Sequence, residues 1–295
     1  MSGRAERIAA VGYDYASRER EEVSVCNLCG STDLAELSRV DRYGYPQPLW
    51  MCRRCGLGFL SPRLTAAEYG CFYEDVYRPL VSAYHGRRID AETVQGDQRG
   101  YAADLVEFLR ANLAEPPRSV MDVGGSTGIV AGAVREAFGA QATVLDPAPD
   151  ELAVAAAAGM ETIAGFAEDY DSGERRWDLI LLCQTIDHLL DVRSTLESMR
   201  RMTAAAGHAF VDELDLLIAA RKKGTEGAAK VDHPYYFTHD TAIAFFASTG
   251  FEPVAERLSD DGHWGFLLRP AEPRRPDWDA LGRSAAAMIE ELQVT

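Results

Sequence analysis

Four of the six cysteines repeat one short pattern, Cys26-Asn-Leu-Cys29-Gly30 and Cys52-Arg-Arg-Cys55-Gly56, with 22 residues between Cys29 and Cys52. A two-residue gap lets both thiolates of a pair face one point, and the glycine behind each pair permits a tight turn. Two such turns on neighbouring hairpins supply the four thiolates of a tetrahedral zinc ion. The separation of the pairs exceeds the usual ribbon range, which a longer hairpin absorbs. Cys26, Cys29, Cys52 and Cys55 would fill every coordination position, so the zinc is expected to be structural rather than catalytic. Two disulfides are the competing reading, but the stretch Met1 to Glu22 is polar and charged, unlike a secretory signal. A redox-active pair would explain one pattern and not two. Cys71 and Cys183 stand alone and are expected in the core.

Histidine is the side chain best matched to taking a proton near neutrality, and three of the six are placed to be considered. His188 lies in Gln184-Thr-Ile-Asp187-His188-Leu189, and His233 in Lys230-Val-Asp-His-Pro-Tyr-Tyr-Phe-Thr238. Either would serve as a general base. Their plainer readings are a helix-entry histidine that packs its loop and a loop histidine before a helix cap at Thr238. His85 reads as a surface residue. Phe72-Tyr73-Glu-Asp-Val-Tyr77 puts two tyrosines four apart, hence on one helix face, either toward a ligand or as an aromatic stripe between domains. Tyr235 and Tyr236 are further candidates for lining an acceptor pocket. Arg221-Lys222-Lys223-Gly224 reads as a solvated loop or as the contact for a substrate phosphate, such as that of a nucleotide-linked sugar.

From about Gly100 onward, alternating strands and helices must position these groups. Arg118 to Val123 is an apolar strand carrying Asp122 near its end. Gly124-Gly125-Ser126-Thr127-Gly128 turns it into a helix over Ile129 to Phe138, the entry to a doubly wound sheet. Asp146 lies 17 intervening residues beyond Gly128, at the end of a second strand, Ala142 to Leu145. There it sits beside the first turn and can accept both hydroxyls of a ribose. Glu161 to Ala164 is a third strand. Trp177 to Cys183 is a fourth, apolar throughout as a strand buried on both faces should be. His208 to Val211 is a fifth, and Phe251 to Arg257 with Trp264 to Arg269 close the sheet as a hairpin around Asp260-Asp261-Gly262. The pattern predicts an α/β fold: a Rossmann-like, seven-stranded doubly wound sheet with a late antiparallel hairpin, preceded by a small zinc-ribbon-like module. In that module Leu34 to Arg39 and Leu49 to Cys52 read as strands, with Tyr43-Gly44-Tyr45-Pro46 between them as turn chemistry. His188 then follows the fourth strand at the carboxyl end of the sheet, where ligands bind in such folds.

On these residues the chain resembles class I S-adenosylmethionine-dependent methyltransferases. Specifically, it is similar to the bacterial group with an N-terminal CxxC…CxxC zinc-binding module, which includes sugar and specialised-metabolite methyltransferases. The resemblance runs from Cys26 to about Pro270. It implies that the acid-x-Gly-x-Gly-x-Gly stretch cradles the methionine part of the cofactor. Asp122, Gly124 and Gly128 match, Gly125 lies within the stretch, and Ser126 replaces the middle glycine with a hydroxyl able to bond the cofactor carboxylate. Asp146 matches the ribose acid. Phe166 and Ala167 fall in the adenine-contacting loop, where Phe166 replaces a frequent aspartate and leaves Glu168 or Asp169 as partner for the adenine amine. Gln184 opens the family's short loop after strand four. Tyr73 and Tyr77 lie in the segment that forms a lid over the methionine end, and His233 lies where similar enzymes acting on sugars place a catalytic or substrate-contacting histidine. The implied activity is methyl transfer (EC 2.1.1 class) to a sugar, nucleotide-sugar or specialised metabolite, with His188 or His233 as base. A nicotinamide dehydrogenase is the rival on the same fold. The late hairpin and the lack of a G-x-G-x-x-G run in the first turn disfavour it. An RNA methyltransferase and a cofactor-binding protein that transfers no methyl are the alternatives.

The charge bears on the RNA reading. The 295 residues carry 46 acidic and 30 basic side chains, a net charge of −16, with residues 1–65 nearly balanced at nine basic and eight acidic. An RNA enzyme needs a basic face, so no nucleic-acid partner is expected. No apolar run reaches the roughly 18 residues of a membrane helix, so a cytoplasmic protein acting on a small molecule is expected, with oligomerisation left open. The organisation read from the sequence is an N-terminal extension and zinc-binding module over 1–65, a helical connector or lid over 66–100, the cofactor-binding domain over 101–270, and a tail over 271–295. Within the tail, Trp278 to Leu292 has helical spacing and is expected to dock on the body or on a partner subunit.

Overall fold

The computed structural model describes residues 3–89 and 91–294. After a short helix α1 (Arg4–Ala9) come strands β1 (Arg20–Glu21), β2 (Leu34–Ser38), β3 (Leu49–Cys52), β4 (Gly58–Leu60) and β5 (Arg63–Leu64). β2, β3 and β4 pair antiparallel in succession, and Leu49, Met51, Phe59 and Leu60 are closed to solvent. Gly30 and Gly56 have φ of 71° and 82°, a left-handed conformation that explains the glycine behind each cysteine pair. Helices α2 (Ala66–Cys71) and α3 (Tyr77–His85) follow, joined by a π-helical turn at Phe72–Val76, and then α4 (Ala91–Asn112), which runs unbroken through residue 100.

The remaining elements alternate: β6 (Ser119–Val123), α5 (Ile129–Phe138), β7 (Gln141–Asp146), α6 (Pro149–Ala157), β8 (Glu161–Ala164), β9 (Trp177–Leu182), α7 (Val192–Met202) and β10 (Thr203–Leu214). Then come α8 (Leu216–Lys223), α9 (Thr225–Ala228), β11 (Tyr235–Tyr236), α10 (His239–Thr249), β12 (Phe251–Leu258), β13 (His263–Pro270) and α11 (Trp278–Val294). Seven strands form one sheet in the order β12-β13-β10-β9-β6-β7-β8. β6 to β10 run parallel, and β13 runs antiparallel between β10 and β12. This is the expected Rossmann-like architecture with its late hairpin. β10 begins earlier than the sequence pattern suggests, at Thr203, because its pairing with β9 shifts between Thr203 and His208 and the intervening alanines break the apolar run.

The sheet is covered on both faces. Leu179 and Leu181 of β9 meet Leu105 and Leu109 of α4 and Val130 and Val134 of α5, while Ile180 and Leu182 face Leu196 and Met199 of α7 and Phe245 and Phe246 of α10. Alternate residues of one apolar run thus enter two different cores. Each such side chain contributes about 1.5–3 kcal/mol of burial.

Two downstream segments tie the cysteine module to this body. β11 pairs antiparallel with β4, matching Tyr235 to Phe59, and completes the module's four-stranded sheet. Helix α11 docks on the body, burying Ala285, Met288, Ile289 and Leu292 in one cluster with Leu49, Met51 and Leu60. Gln293 donates to the Glu36 carbonyl at 3.0 Å. The basic run at 221–223 proves to be the end of α8 rather than a loop, and Arg221 pairs with Glu291 of α11 at 2.6 Å. Cys71 is exposed and not a core thiol, whereas Cys183 is half-buried against the helical side of the sheet. No described helix is long and apolar enough to cross a membrane.

Candidate functional site

The glycine turn after β6 is built as its sequence requires. Gly124 and Gly128 have φ of 69° and 75°, and a Cβ at either would come within 2.7 Å of Thr185 or 2.4 Å of Met160. Ser126 adopts φ 52°, a conformation that costs a non-glycine residue about 1–2 kcal/mol. Its hydroxyl bonds the Glu151 carboxylate at the start of α6, so it is already engaged and does not stand free for a ligand carboxylate, as the sequence suggested. Its backbone N–H donates to Asp146 Oδ2 at 2.9 Å, and the N–H of Ala148 donates to Oδ1 at 2.8 Å. Asp146 is therefore held at the strand end with its remaining lone pairs toward the turn. Asp122 lies buried beneath, accepting from Ala131 N–H at 3.2 Å, and burial raises its carboxyl to about 7.

The rim brings together most of the other sequence-predicted residues. The Phe166 ring is 54% exposed beside β8 and free to stack on a ligand. Ala167, by contrast, is buried and its carbonyl accepts from Ser198 Oγ at 2.5 Å, so its side chain offers no contact surface. Gln184 is exposed, has φ 51°, and its N–H donates to Asp212 Oδ1 at 2.5 Å. Tyr101 of α4 donates to the other Asp212 oxygen at 2.7 Å.

Next to the turn, residues from three distant segments converge. His188 Nδ1 lies 2.8 Å from the Asp232 carbonyl and 2.7 Å from the Tyr73 hydroxyl, which itself donates to that carbonyl at 3.0 Å. A carbonyl only accepts, so the proton sits on Nδ1. Nε2 is left bare, with no hydrogen-bond partner among the described residues. Burial lowers the His188 pKa below its usual range, keeping the ring neutral. Tyr77 packs its ring 5.5 Å from that of Tyr73, so the two share a face although the segment between them is π-helical.

His233 is bonded on both sides. Nε2 lies 3.1 Å from the Lys230 ammonium and Nδ1 lies 3.4 Å from Asp187 Oδ2. Its ring meets that of His188 edge to face at 4.6 Å. Burial, with the Lys230 charge next, drives its pKa well down. Burial also lowers Lys230 to about 8 and raises Asp187 to about 7. Asp187 Oδ1, Asp232 Oδ1 and both Glu213 carboxylate oxygens are buried without a hydrogen-bond partner. Tyr235 and Tyr236 turn their hydroxyls to the Leu190 carbonyl and the Lys230 backbone, and the Tyr236 ring lies 6.2 Å from that of His233.

A family model described as a methyltransferase domain matches residues 94–256, more than half of the chain. The chain belongs to this family. It is an S-adenosylmethionine-dependent methyltransferase. Among solved structures, 1,6-didemethyltoxoflavin-N1-methyltransferase of Burkholderia thailandensis, with bound 1,6-didemethyltoxoflavin and S-adenosylhomocysteine, is 17% identical with TM-score 0.52 over 77% of this chain and 96% of its own. The PH0226 protein of Pyrococcus horikoshii is 16% identical with TM-score 0.50 over 59% and 91%. CalO1, a methyltransferase in calicheamicin biosynthesis in its S-adenosylhomocysteine-bound form, is 18% identical with TM-score 0.50 over 68% and 60%. At these identities the likeness is one of fold. No curated protein matches the sequence.

The methyltransferase keeps its four paired cysteines together and away from the histidines. Their Sγ atoms all lie within 4.8 Å of one another, with Cys26 to Cys55 and Cys29 to Cys52 at 3.5 Å. All four are free thiols, three of them buried. Four sulfurs at about 2.3 Å from a tetrahedral zinc would stand about 3.8 Å apart, so the donor set and its spacing fit that ion. Sequence reading missed Asp232, Lys230, Asp212, Tyr101 and Glu213. Their one signal was proximity in sequence to the named histidines and strand ends.

Proposed function

We propose that this methyltransferase acts on a small-molecule acceptor, a sugar, nucleotide-linked sugar or specialised metabolite, with His188 as general base and a structural zinc on Cys26, Cys29, Cys52 and Cys55. The observation that carries the reading is the bare Nε2 of His188, neutral and fixed in tautomer beside the glycine turn. S-adenosylmethionine, when bound, supplies an electrophilic methyl group and leaves as the neutral thioether. Asp146 would accept the ribose hydroxyls, the backbone of Gly124, Gly125 and Gly128 would let the methionine part approach closely, and Phe166 would stack on the adenine. Tyr73 and Tyr77 would close the methionine end. Gln184 would hold the edge of the crevice through its bond to Asp212.

The acceptor proton passes to His188 Nε2 while the acceptor atom gains the methyl group. The Asp232 carbonyl stabilises the resulting imidazolium through Nδ1–H. His233 acts as a positioning residue, since both of its nitrogens are committed to Lys230 and Asp187. The unpartnered oxygens of Asp187, Asp232 and Glu213 suit an acceptor that brings several hydroxyl donors, because a buried polar atom left unpaired costs about 1–3 kcal/mol. That favours a polyhydroxylated acceptor. Two neighbours of the same fold are named for specialised metabolites, toxoflavin and calicheamicin, which agrees with a small-molecule acceptor.

Calorimetry with S-adenosylhomocysteine tests the cofactor part, and transfer of a labelled methyl group to a panel of sugars and nucleotide-sugars tests the acceptor part. Binding with no transfer to any hydroxylated acceptor would leave the fold and remove the proposed acceptor class.

A further inference from the structure

Asn27 and Leu28 stand between the first two cysteines, and both are bonded to a distant segment. The knuckle turn is closed by the Gly30 N–H, which donates to the Cys26 carbonyl at 2.8 Å. Asn27 Nδ2 donates to Asp191 Oδ1 at 3.0 Å, and Asn27 Oδ1 accepts from the Arg193 N–H at 3.1 Å. The Arg193 side chain reaches back, with Nε 3.3 Å from the Asn27 carbonyl and one Nη 2.6 Å from that of Leu28. Asp191 caps α7, accepting from the Ser194 N–H at 3.1 Å and the Ser194 hydroxyl at 2.7 Å. The first N–H groups of a helix have no partner inside it. In α7 the Arg193 N–H is satisfied by a side chain that lies between two cysteines of the knuckle.

The residue before Asp191 is held from the same side. The Leu190 carbonyl accepts from an Arg63 Nη at 3.1 Å and from the Tyr235 hydroxyl at 3.2 Å, which engages both of its lone pairs. Arg63 is buried and paired with Glu21 at 2.7 Å, and Tyr235 lies in β11, a strand of the module's sheet. Leu190, Asp191 and Arg193 are thus all fixed from the cysteine module. His188 ends the short turn Ile186–His188 directly before them. The apolar packing agrees: Cys26 and Leu28 share one core cluster with Ile186 and Val192, and Leu189 packs against it. The Asp232 carbonyl and Tyr73 set the His188 tautomer, but the loop sets where its ring stands, and that loop ends on the knuckle.

We infer that Asn27 and Arg193 are positioning residues for methyl transfer: they clamp the cysteine knuckle to the loop bearing His188, so that hold on the metal and order of that loop rise and fall together. The inference rests on the proposed reading of the cysteines as a zinc site and of His188 as base. Zinc takes no part in the chemistry; when bound, it keeps the knuckle turn closed. A closed turn holds the Asn27 amide and the Asn27 and Leu28 carbonyls where Asp191 and Arg193 meet them. A shift of about 1 Å in a reacting group can cost a hundredfold in rate, so a loop left to drift would lose turnover without losing the cofactor. Coupling between two sites is reciprocal, so a change at Arg193 must also be felt at the sulfurs.

The test uses the full zinc-loaded chain and the variants Asn27→Ala and Arg193→Ala, which keep all four cysteines and change side chains that are only part-buried. Zinc affinity, measured by competition with a chelator, should fall about fivefold in each. Backbone amides over 184–195 should exchange with deuterium faster. The kcat should drop by about tenfold while the KM for S-adenosylmethionine stays within about twofold. Arg193→Lys keeps the charge but not the two-pronged reach to both carbonyls, so it should fall between wild type and Arg193→Ala. Arg54→Ala removes a bond to the Cys29 carbonyl at 3.3 Å that does not touch the loop, and should leave exchange over 184–195 and kcat unchanged. Zinc affinity and loop exchange both unmoved in Asn27→Ala and Arg193→Ala would overturn the inference. So would a loosened loop with normal kcat, provided that His188→Gln is inactive. If His188→Gln is itself fully active, the base reading is what fails, and the zinc and exchange measurements still decide the clamp.

Discussion

Two places in this protein bring potential metal ligands to one point, the four cysteines and the group His188, Asp232 and His233. They look alike by distance and differ in what else is present. Among the described residues the cysteine sulfurs face one another, with contacts at 3.5 Å and no cationic side chain bonded to them. In the histidine group Lys230 already stands 3.1 Å from His233 Nε2, and the Asp232 carbonyl accepts the hydrogen bond from His188 Nδ1–H. A lysine ammonium occupies the place of a cation, and a protonated nitrogen cannot ligate one. Convergence of ligand atoms therefore fits a metal in the first case, and in the second fits the proton transfer we propose.

The widest separation between the two should appear on mutation. His188→Gln is expected to lower kcat by about 10²–10⁴-fold while S-adenosylhomocysteine affinity, read by calorimetry, stays the same. Unchanged turnover would remove the base from the histidine group. Cys52→Ser should act on folding instead, abolishing bound zinc and lowering stability by about 3 kcal/mol or more. Metal analysis of the wild-type protein should find one zinc per chain. A second ion that disappears in His233→Ala would erase the contrast between the sites.

Smaller effects sharpen it. Gly128→Ala must place a methyl group 2.4 Å from Met160 Cε at φ 75°, so a loss of about 1–3 kcal/mol is expected in denaturant melts, with weaker cofactor binding. Tyr73→Phe removes a hydroxyl bonded to both His188 and the Asp232 carbonyl. A net hydrogen bond of about 1 kcal/mol corresponds to roughly fivefold in kcat, and the KM for S-adenosylmethionine should hold.

The pH dependence gives the finest test. His188 is neutral down to below its ordinary value of about 6.5, so the acid limb of kcat/KM should lie under that value and activity should be level through neutrality. Asp122 behaves oppositely in stability. Its carboxyl is raised by burial to about 7 in the fold, so its protonated form supports folding fully below the ordinary carboxylate range. That support is lost as pH rises through about 7. The melting temperature should fall across that range, and fall less in Asp122→Asn.

How much was legible varied with how local each feature is. The β6 turn, with Asp122, Gly124, Gly128 and Asp146, could be read because glycine at a left-handed φ and an acid at a strand end are consequences of neighbouring residues. The cysteine pairs could be read for the same reason. Ser126 shows the limit. Its place in the turn was visible, but its hydroxyl partner Glu151 belongs to the next helix. Ala167 fell in the expected loop, yet its side chain is turned into the core, a matter of packing that loop sequence does not encode.

What the sequence by itself determined is the order of strands and helices, the burial of β9 on both faces, the turn geometry and the identity of the two histidines worth testing. Only the tertiary structure decided which histidine keeps a ring nitrogen without a partner. Tyr73 reaches His188 from 115 positions away and the Asp232 carbonyl from 44, while Asp187, beside His188 in sequence, meets His233. A histidine's tautomer and pKa depend on what surrounds the ring in space. Those surroundings form only when the connector, the sheet and the segment after α9 close on one another.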